Sequence, residues 1–369
     1  MKRLARALLP PLAAFLVAHA FLCLVSATTA RPPWRPGSWA GPDSALYLSI
    51  ARHGYELVPC SPNDPPPGHC GNAGWMPAYP WLMRPLIAVG VPPRWASVLV
   101  PAGFCFACLV LLWTGFLSSW RHHGGLALVA AAFFPGQVYQ HGAFPLAQLS
   151  VLVLVCLSAA RRDRWLLAGG AGFAASLTYA TGWLLGPVLA AWGLVLRARR
   201  RPVRLERVAG AALATMAGFV CLLGLHYWQT GTWNAFFLIQ GAYGHRLTNP
   251  LVTWWLAVAE VCTAPWQGVR EGPHLQTLLV SLWVLSILTS ARSRSGDRMT
   301  SLLALYTVAF WLFPLSLGSS VSLYRSEATL LPSVLLAETL PRPALVAFAV
   351  AMVLVAWPMA VLFFRLLLV

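Results

Sequence analysis

Charge is what this chain has least of. Only 10% of its 369 residues are Asp, Glu, Lys or Arg, against about 25% in soluble domains. With 58% hydrophobic residues and a mean hydropathy of +0.67, the composition excludes a soluble globular protein and makes lipid the solvent. Lysine is nearly missing, Lys2 being the sole example, while arginine is plentiful. With Ala, Leu, Gly and Pro so frequent, this suggests a GC-rich bacterial genome. The formal net charge of +16 does not point to nucleic acid. The cations sit in short clusters between apolar runs, as membrane topology requires.

Paired CxxC motifs are also missing, which leaves a structural zinc site unsupported. Six of the eight cysteines fall in apolar runs and read as small buried hydrophobes. Cys60 and Cys70 share a polar loop, and a disulfide between them is open if that loop lies outside the cytoplasm. Heptads, regular repeats and a soluble accessory domain are not visible, so residues 1–369 read as one multi-spanning domain.

What is there is a series of apolar runs. Lys2, Arg3 and Arg6 precede a run from about Ala7 to Thr29, which reads as a retained signal anchor with a cytoplasmic N-terminus. Residues 31–95 then form a Pro-, Gly- and Trp-rich extracytoplasmic loop, with an interfacial stretch from Trp81 to Val91. Further spans are expected at 96–119, 125–140, 143–160, 165–181, 183–197 and 208–227. A second outer segment, 228–272, leads to spans at 273–290, 299–317, 328–340 and 343–364. The expectation is an all-α polytopic integral membrane protein of about eleven helices, several shorter than the roughly 20 residues of a straight crossing. Breaks or tight hairpins are expected at Gln140–Pro145 and Thr181–Pro187. This arrangement puts Arg121, Arg161 to Arg164, Arg197 to Arg207, Arg292 to Arg298 and Arg342 on the cytoplasmic side. The expected location is a bacterial cytoplasmic membrane.

The ten acidic residues can be taken one by one. Asp163, Glu206 and Asp297 sit among arginines, and Glu338 lies near Arg342. Asp64 and Glu271 read as turn residues. Glu56 lies in the first outer loop. Glu260 is expected on an interfacial amphipathic helix, facing water, and Glu327 paired with Arg325 or on the surface. Asp43 has the most informative setting. Gly41-Pro42 opens a helix, and a carboxylate in its first turn is stabilised by free amides and the helix dipole. Asp43, Tyr47, Ile50 and Gly54 share one helical face. Local sequence alone leaves a simple capping role open.

The run Asp43-Ser44-Ala45-Leu46-Tyr47-Leu48-Ser49-Ile50-Ala51-Arg52-His53-Gly54-Tyr55 resembles the D-x-x-x-Y/F-x-x-I-A-x-x-G-Y signature of the glycosylphosphatidylinositol mannosyltransferase II family and its bacterial relatives. Met76-Pro77-Ala78-Tyr79-Pro80-Trp81-Leu82-Met83-Arg84 is similar to the block that follows it in that family. Tyr227 to Phe236, with Gln240, Arg246 and Pro250, is similar to a third. Ser322-Leu323-Tyr324-Arg325 with Pro332 resembles a fourth. The chain departs from the pattern at Pro42, where the family has Trp, and at Phe144 to Leu149, which lacks a glutamate. It departs again at Tyr179, in place of Arg, and at Thr232-Trp233, in place of Asp-Pro.

The resemblance implies a GT-C glycosyltransferase that takes a sugar from a polyprenyl-phosphate donor on the extracytoplasmic face. The sugar implied is mannose, passed with inversion to a glycolipid or glycan hydroxyl. By the same resemblance Asp43 is the general base. Arg246, His245, Arg325, Arg84 and His53 are candidates for the donor phosphate. Tyr47, Tyr55, Trp75 and Tyr79 are candidates for stacking on sugar, although interfacial aromatics are expected in any membrane protein. No ligand cluster marks a metal, and divalent-ion dependence is left open. The expected partners are membrane lipids, the lipid-linked donor and the acceptor. A lipid or glycolipid transporter and a catalytically degenerate scaffold are the alternatives.

Overall fold

The computed structural model describes residues 2–60, 68–120, 123–243, 246–263, 268–294, 296–318 and 323–368. Helix α1 (Lys2–Thr28) leads into the polar loop. That loop carries α2 (Ser44–His53), a two-stranded antiparallel hairpin of β1 (Leu57–Pro59) and β2 (His69–Gly71), and α3 (Ala78–Ala88). Next come α4 (Pro93–Gly115), α5 (Gly124–Ala132), α6 (Gln137–His141), α7 (Leu146–Arg161), α8 (Trp165–Ser176), α9 (Leu185–Ala198) and α10 (Leu205–Thr230). Helices α11 (Ala235–Ala242) and α12 (Pro250–Thr263) form the second loop segment. They are followed by α13 (Gly272–Ala291), α14 (Arg298–Leu315), α15 (Leu323–Glu327), a 3-10 helix over Ala328–Thr339, and α16 (Arg342–Phe364).

Six of these helices are long and apolar enough to cross a membrane among the described residues: α1, α4, α10, α13, α14 and α16. The expected count of about eleven is therefore not confirmed. The expected runs exist, but several fold as shorter pieces. The 125–140 run breaks at Gly136, whose φ of +79° starts α6, and the 328–340 run is a 3-10 helix. Helices α7, α8 and α9 have 16, 12 and 14 residues. At 1.5 Å per residue the shortest is about 18 Å long, well under a hydrocarbon core of about 30 Å. Helix α12, with 14 residues, occupies the segment expected at the interface, and Glu260 on it is exposed, 3.6 Å from His274.

Small residues let the short helices pack closely. A Cβ on Gly172 of α8 would come within 2.1 Å of Thr215 Oγ1 on α10, so only glycine fits there. Several buried polar groups are paired, as a low-dielectric interior favours. Trp283 Nε1 donates to Ser333 Oγ at 2.8 Å, and the Tyr306 hydroxyl donates to the Thr329 carbonyl. The arginine clusters collect at one end of the bundle. There Arg161, Asp297 and Glu338 line a single recess, and Arg298 binds Asp163. The polar loop covers the other end.

Within that loop, α2 is clamped at both ends. Ser44 Oγ accepts from the Gly41 amide at 3.0 Å and donates to the Ala143 carbonyl at 3.2 Å. Gly54 ends the helix at φ +83°, and a Cβ there would meet the Gln229 side chain at 2.8 Å. Buried Asn72 donates to the Gly54 carbonyl and accepts from the Glu56 amide, both at 2.9 Å. Cys60 and Cys70 are joined in a disulfide that closes the hairpin. Asp64, expected in a solvated turn, lies outside the described residues.

Candidate active site

The clamped helix carries Asp43 at its N-cap position. The carboxylate makes no cap hydrogen bond. It instead forms an ion pair with Arg325 of α15, Nη1 to Oδ2. The two side chains are only 15% (Arg325) and 18% (Asp43) exposed, and both line a cavity of about 150 Å3 beneath the polar loop. Among the described residues, Asp43 and Arg325 are the only charged ones in the cavity wall. Tyr47, Trp75, Tyr179, Thr181, Gln240 and Tyr243 supply its polar and aromatic surface.

The site draws on distant parts of the chain. Arg325 lies 5.7 Å over the Phe144 ring, a cation–π contact worth more where water is excluded. Gly41 lets Phe144 close on the loop, since a Cβ there would sit 2.8 Å from the ring. Gln240 on α11 donates to the Gly74 carbonyl at 2.9 Å and sets the Gly74–Met76 edge of the cavity. The Ala78 amide donates to the Leu177 carbonyl at 2.9 Å, tying the α8–α9 connection to the loop.

Electrostatics follow from this burial. Desolvation alone would lower the Arg325 pKa. The Asp43 carboxylate, with the Tyr179 and Tyr139 hydroxyls, outweighs it and holds the guanidinium above its ordinary value. Burial, and then the Asp43 charge, raises the Tyr47 phenol well above its usual range. Tyr179, hydrogen-bonded to the Ser326 side chain, is likewise raised, chiefly by burial. These phenols therefore stay protonated at neutral pH and act as donors.

The cavity takes in Asp43, Tyr47, Trp75 and Arg325 of the residues the sequence singled out. Tyr79 lies one layer behind, its ring 5.1 Å from Tyr47 and edge-on to it. Tyr55 is buried, its hydroxyl donating to the Trp75 carbonyl at 2.7 Å and its amide to Gln229 Oε1 at 2.6 Å. Arg84 faces the other end of α2. It donates to the Ile50 and Ala51 carbonyls at 3.1 and 2.9 Å, capping that helix. His53 is exposed on the opposite flank of α2. Arg246 is exposed and does not line the cavity itself, though its amide is bonded to the carbonyl of Leu317, which does. His245 lies outside the described residues.

Glu327 departs from expectation. It is neither on the surface nor bonded to Arg325, but is 5% exposed and accepts from Gln276 Nε2 at 2.8 Å. Gln276 also donates to the Tyr324 carbonyl at 2.8 Å, which fastens α15 to α13. Tyr179, Thr181, Gln240, Tyr243 and Ser326 line the cavity without having been singled out as site residues. The one signal in the sequence was at Tyr179, where the chain departs from the family pattern by carrying Tyr in place of Arg.

No three His, Cys, Asp or Glu side chains converge among the described residues, and the cavity's sole carboxylate is engaged by a guanidinium. The cavity does not fit a metal site, and no step is derived through one.

No family model matches the sequence, and no curated protein matches it. By fold the chain is similar to an oligosaccharyltransferase of Archaeoglobus fulgidus. The apo form superposes with a TM-score of 0.55 at 12% identity, over 96% of this chain and 56% of the other. A structure of the archaeal enzyme with an inhibitory peptide and a dolichol-phosphate gives 0.54 at 10% identity, over 95% and 56%. The chain thus spans little more than half the length of the structures it matches. Its helices share the fold of the matched part of that oligosaccharyltransferase.

Proposed function

We propose that this protein is a membrane glycosyltransferase of the GT-C type. It moves a sugar, by resemblance mannose, from a polyprenyl-phosphate donor to a glycolipid or glycan hydroxyl on the extracytoplasmic face. The observation that carries this reading is the Asp43–Arg325 pair, a buried carboxylate and guanidinium set together in the wall of an otherwise uncharged cavity. The dolichol-phosphate bound by the archaeal neighbour agrees with a lipid-linked donor here.

In this mechanism Asp43 takes the proton of the acceptor hydroxyl as the oxygen attacks the anomeric carbon. A new C–O bond forms on one face of the sugar while the bond to the phosphate oxygen breaks on the other, inverting the anomeric centre. The polyprenyl phosphate leaves with the bonding pair, and Arg325 stabilises its charge. A guanidinium presents five donors, so Arg325 can engage phosphate while remaining near Asp43. Arrival of the donor thereby loosens the ion pair and frees the carboxylate to act as base within about 3 Å of the hydroxyl. Trp75, Tyr47 and Tyr243 form walls for the sugar, with Tyr179 and Thr181 as hydrogen-bonding groups.

The test is incubation of membranes holding the protein with polyprenyl-phosphate mannose and mixed lipid and glycan acceptors, followed by mass spectrometry. A mannosylated product from the wild type is expected, reduced about 10²–10⁴-fold in Asp43→Asn at equal expression. Undiminished transfer by Asp43→Asn removes the assigned base. A wild type that makes no product favours a transporter or scaffold.

A further inference from the structure

We propose that the groove between α8 and α10, at the arginine-bearing end, binds one anionic glycerophospholipid. Its phosphate would rest on Arg164 and Arg207, and an acyl chain would lie along the glycine floor. The groove has a volume of about 840 Å3, and Arg164, Leu166, Gly170, Phe173, Arg207 and Gly210 are among its lining residues. It lies at the opposite end of α8 from the Tyr179 cavity and is independent of the reaction proposed there.

Two kinds of glycine meet in this helix pair. Close packing explains Gly169 and Gly172, where a Cβ would come within 3.0 Å of Ala211 Cα and 2.1 Å of Thr215 Oγ1. It does not explain Gly170 and Gly210, where an added Cβ would meet nothing within 4 Å. Glycine inside a helix is unfavourable relative to alanine, and here its effect is to leave the groove open. The wall is apolar and outward-facing, with Leu166 93% exposed.

The charge at the groove's mouth selects the occupant. Asp163, the only acid lining it among the described residues, is held by Arg298 at 3.0 and 3.2 Å. Glu206, on the first turn of α10, is exposed and does not line the groove. Arg164 and Arg207 have no ion-pair partner among the described residues, and exposed Arg162 adds to the positive field. Two guanidiniums suit a phosphodiester, whereas the choline of a zwitterionic lipid would bring a cation against them. Length works in the same direction. The 12-residue α8 is about 18 Å long, so the bilayer must thin beside it, bringing headgroups in towards Arg164.

The test is native mass spectrometry of the full chain, purified in detergent with equal phosphatidylglycerol and phosphatidylcholine. One retained phosphatidylglycerol per chain is expected, surviving activation that strips phosphatidylcholine. The double variant Arg164→Gln/Arg207→Gln should lower its apparent affinity about thirtyfold, the factor for two cations near a headgroup. Gly170→Leu/Gly210→Leu should abolish retention by filling the groove. Arg35→Gln/Arg94→Gln, at the other end, should leave it unchanged. Equal retention of both lipids, or retention unaltered in the Arg164/Arg207 variant, overturns the proposal. Because both arginines are exposed, that variant keeps the test decisive even where the glycine variant fails to fold.

Discussion

Asp43 and Arg325 are 282 positions apart in the chain, yet their side chains form the ion pair of the cavity wall. Both are largely shielded from water, so each is the other's compensating charge. Removing one partner of such a pair costs about 3–5 kcal/mol, because the survivor is left buried and uncompensated. Arg325→Gln is therefore expected to lower thermal stability in detergent markedly, and Asp43→Asn/Arg325→Gln to recover part of the loss. A double-mutant cycle from unfolding curves checks this, and strictly additive effects contradict the pairing.

Thr181 offers a separation of stability from function. Its hydroxyl is buried against the cavity without a hydrogen-bond partner among the described residues. An unsatisfied buried group of this kind costs about 1–3 kcal/mol. Thr181→Val, of equal shape, is expected to stabilise the free protein by about 1 kcal/mol. It should also raise the acceptor KM while leaving the donor KM unchanged. Steady-state kinetics with each substrate varied, beside a melting curve, measures both effects.

Glu327 predicts a pH dependence. Burial pushes its carboxyl up to about 7, against smaller opposing effects from Thr277 and Gln276. The folded state therefore binds this proton more tightly than the unfolded chain, whose glutamate titrates near 4.5. Its contribution to stability is fully present below about pH 4.5 and is lost as pH rises towards 7, by about 3 kcal/mol in all. Glu327→Gln keeps an acceptor for Gln276 and removes the titration. The variant should melt higher than the wild type at pH 8 and show a flatter profile between pH 5 and 8. Identical profiles for the two proteins contradict the buried carboxyl.

The disulfide predicts a local effect. Cys60 and Cys70 are separated by 10 positions, and a loop that short gains about 3 kcal/mol at most from cross-linking. Cys60→Ser/Cys70→Ser should loosen the β1–β2 hairpin and, through Asn72, the C-terminal end of α2. Hydrogen exchange is expected to rise at residues 54–60 and 68–72, with the helices at the arginine end unchanged. Exchange that rises evenly over the whole chain contradicts a local role.

Several features were legible in the sequence because they depend on residues near one another. Apolar runs marked the helices, and Gly41-Pro42 marked the start of α2. Elimination among ten acidic residues led to Asp43. Arg84 shows where such reading stops. An interfacial arginine looks the same in sequence whether it binds phosphate or caps a helix, and only the approach of α3 to α2 assigns it to the Ile50 and Ala51 carbonyls. Glu327 was unreadable for a similar reason, since its burial depends on Gln276, 51 positions away. The span count of about eleven is not confirmed, because hydropathy registers an apolar run without registering its breaks or its length as helix.

By itself the sequence determined that this chain resides in lipid and gathers its arginines between apolar runs. It also determined that a polar loop presents one carboxylate at a helix start. Transfer free energy and charge placement act residue by residue, so composition and order suffice for that. Tertiary structure alone decided which of the loop-side arginines meets Asp43, which aromatics become walls, and that Tyr179 and Thr181 join them. Those outcomes depend on contacts between segments hundreds of residues apart, which form only when the short helices pack beneath the loop.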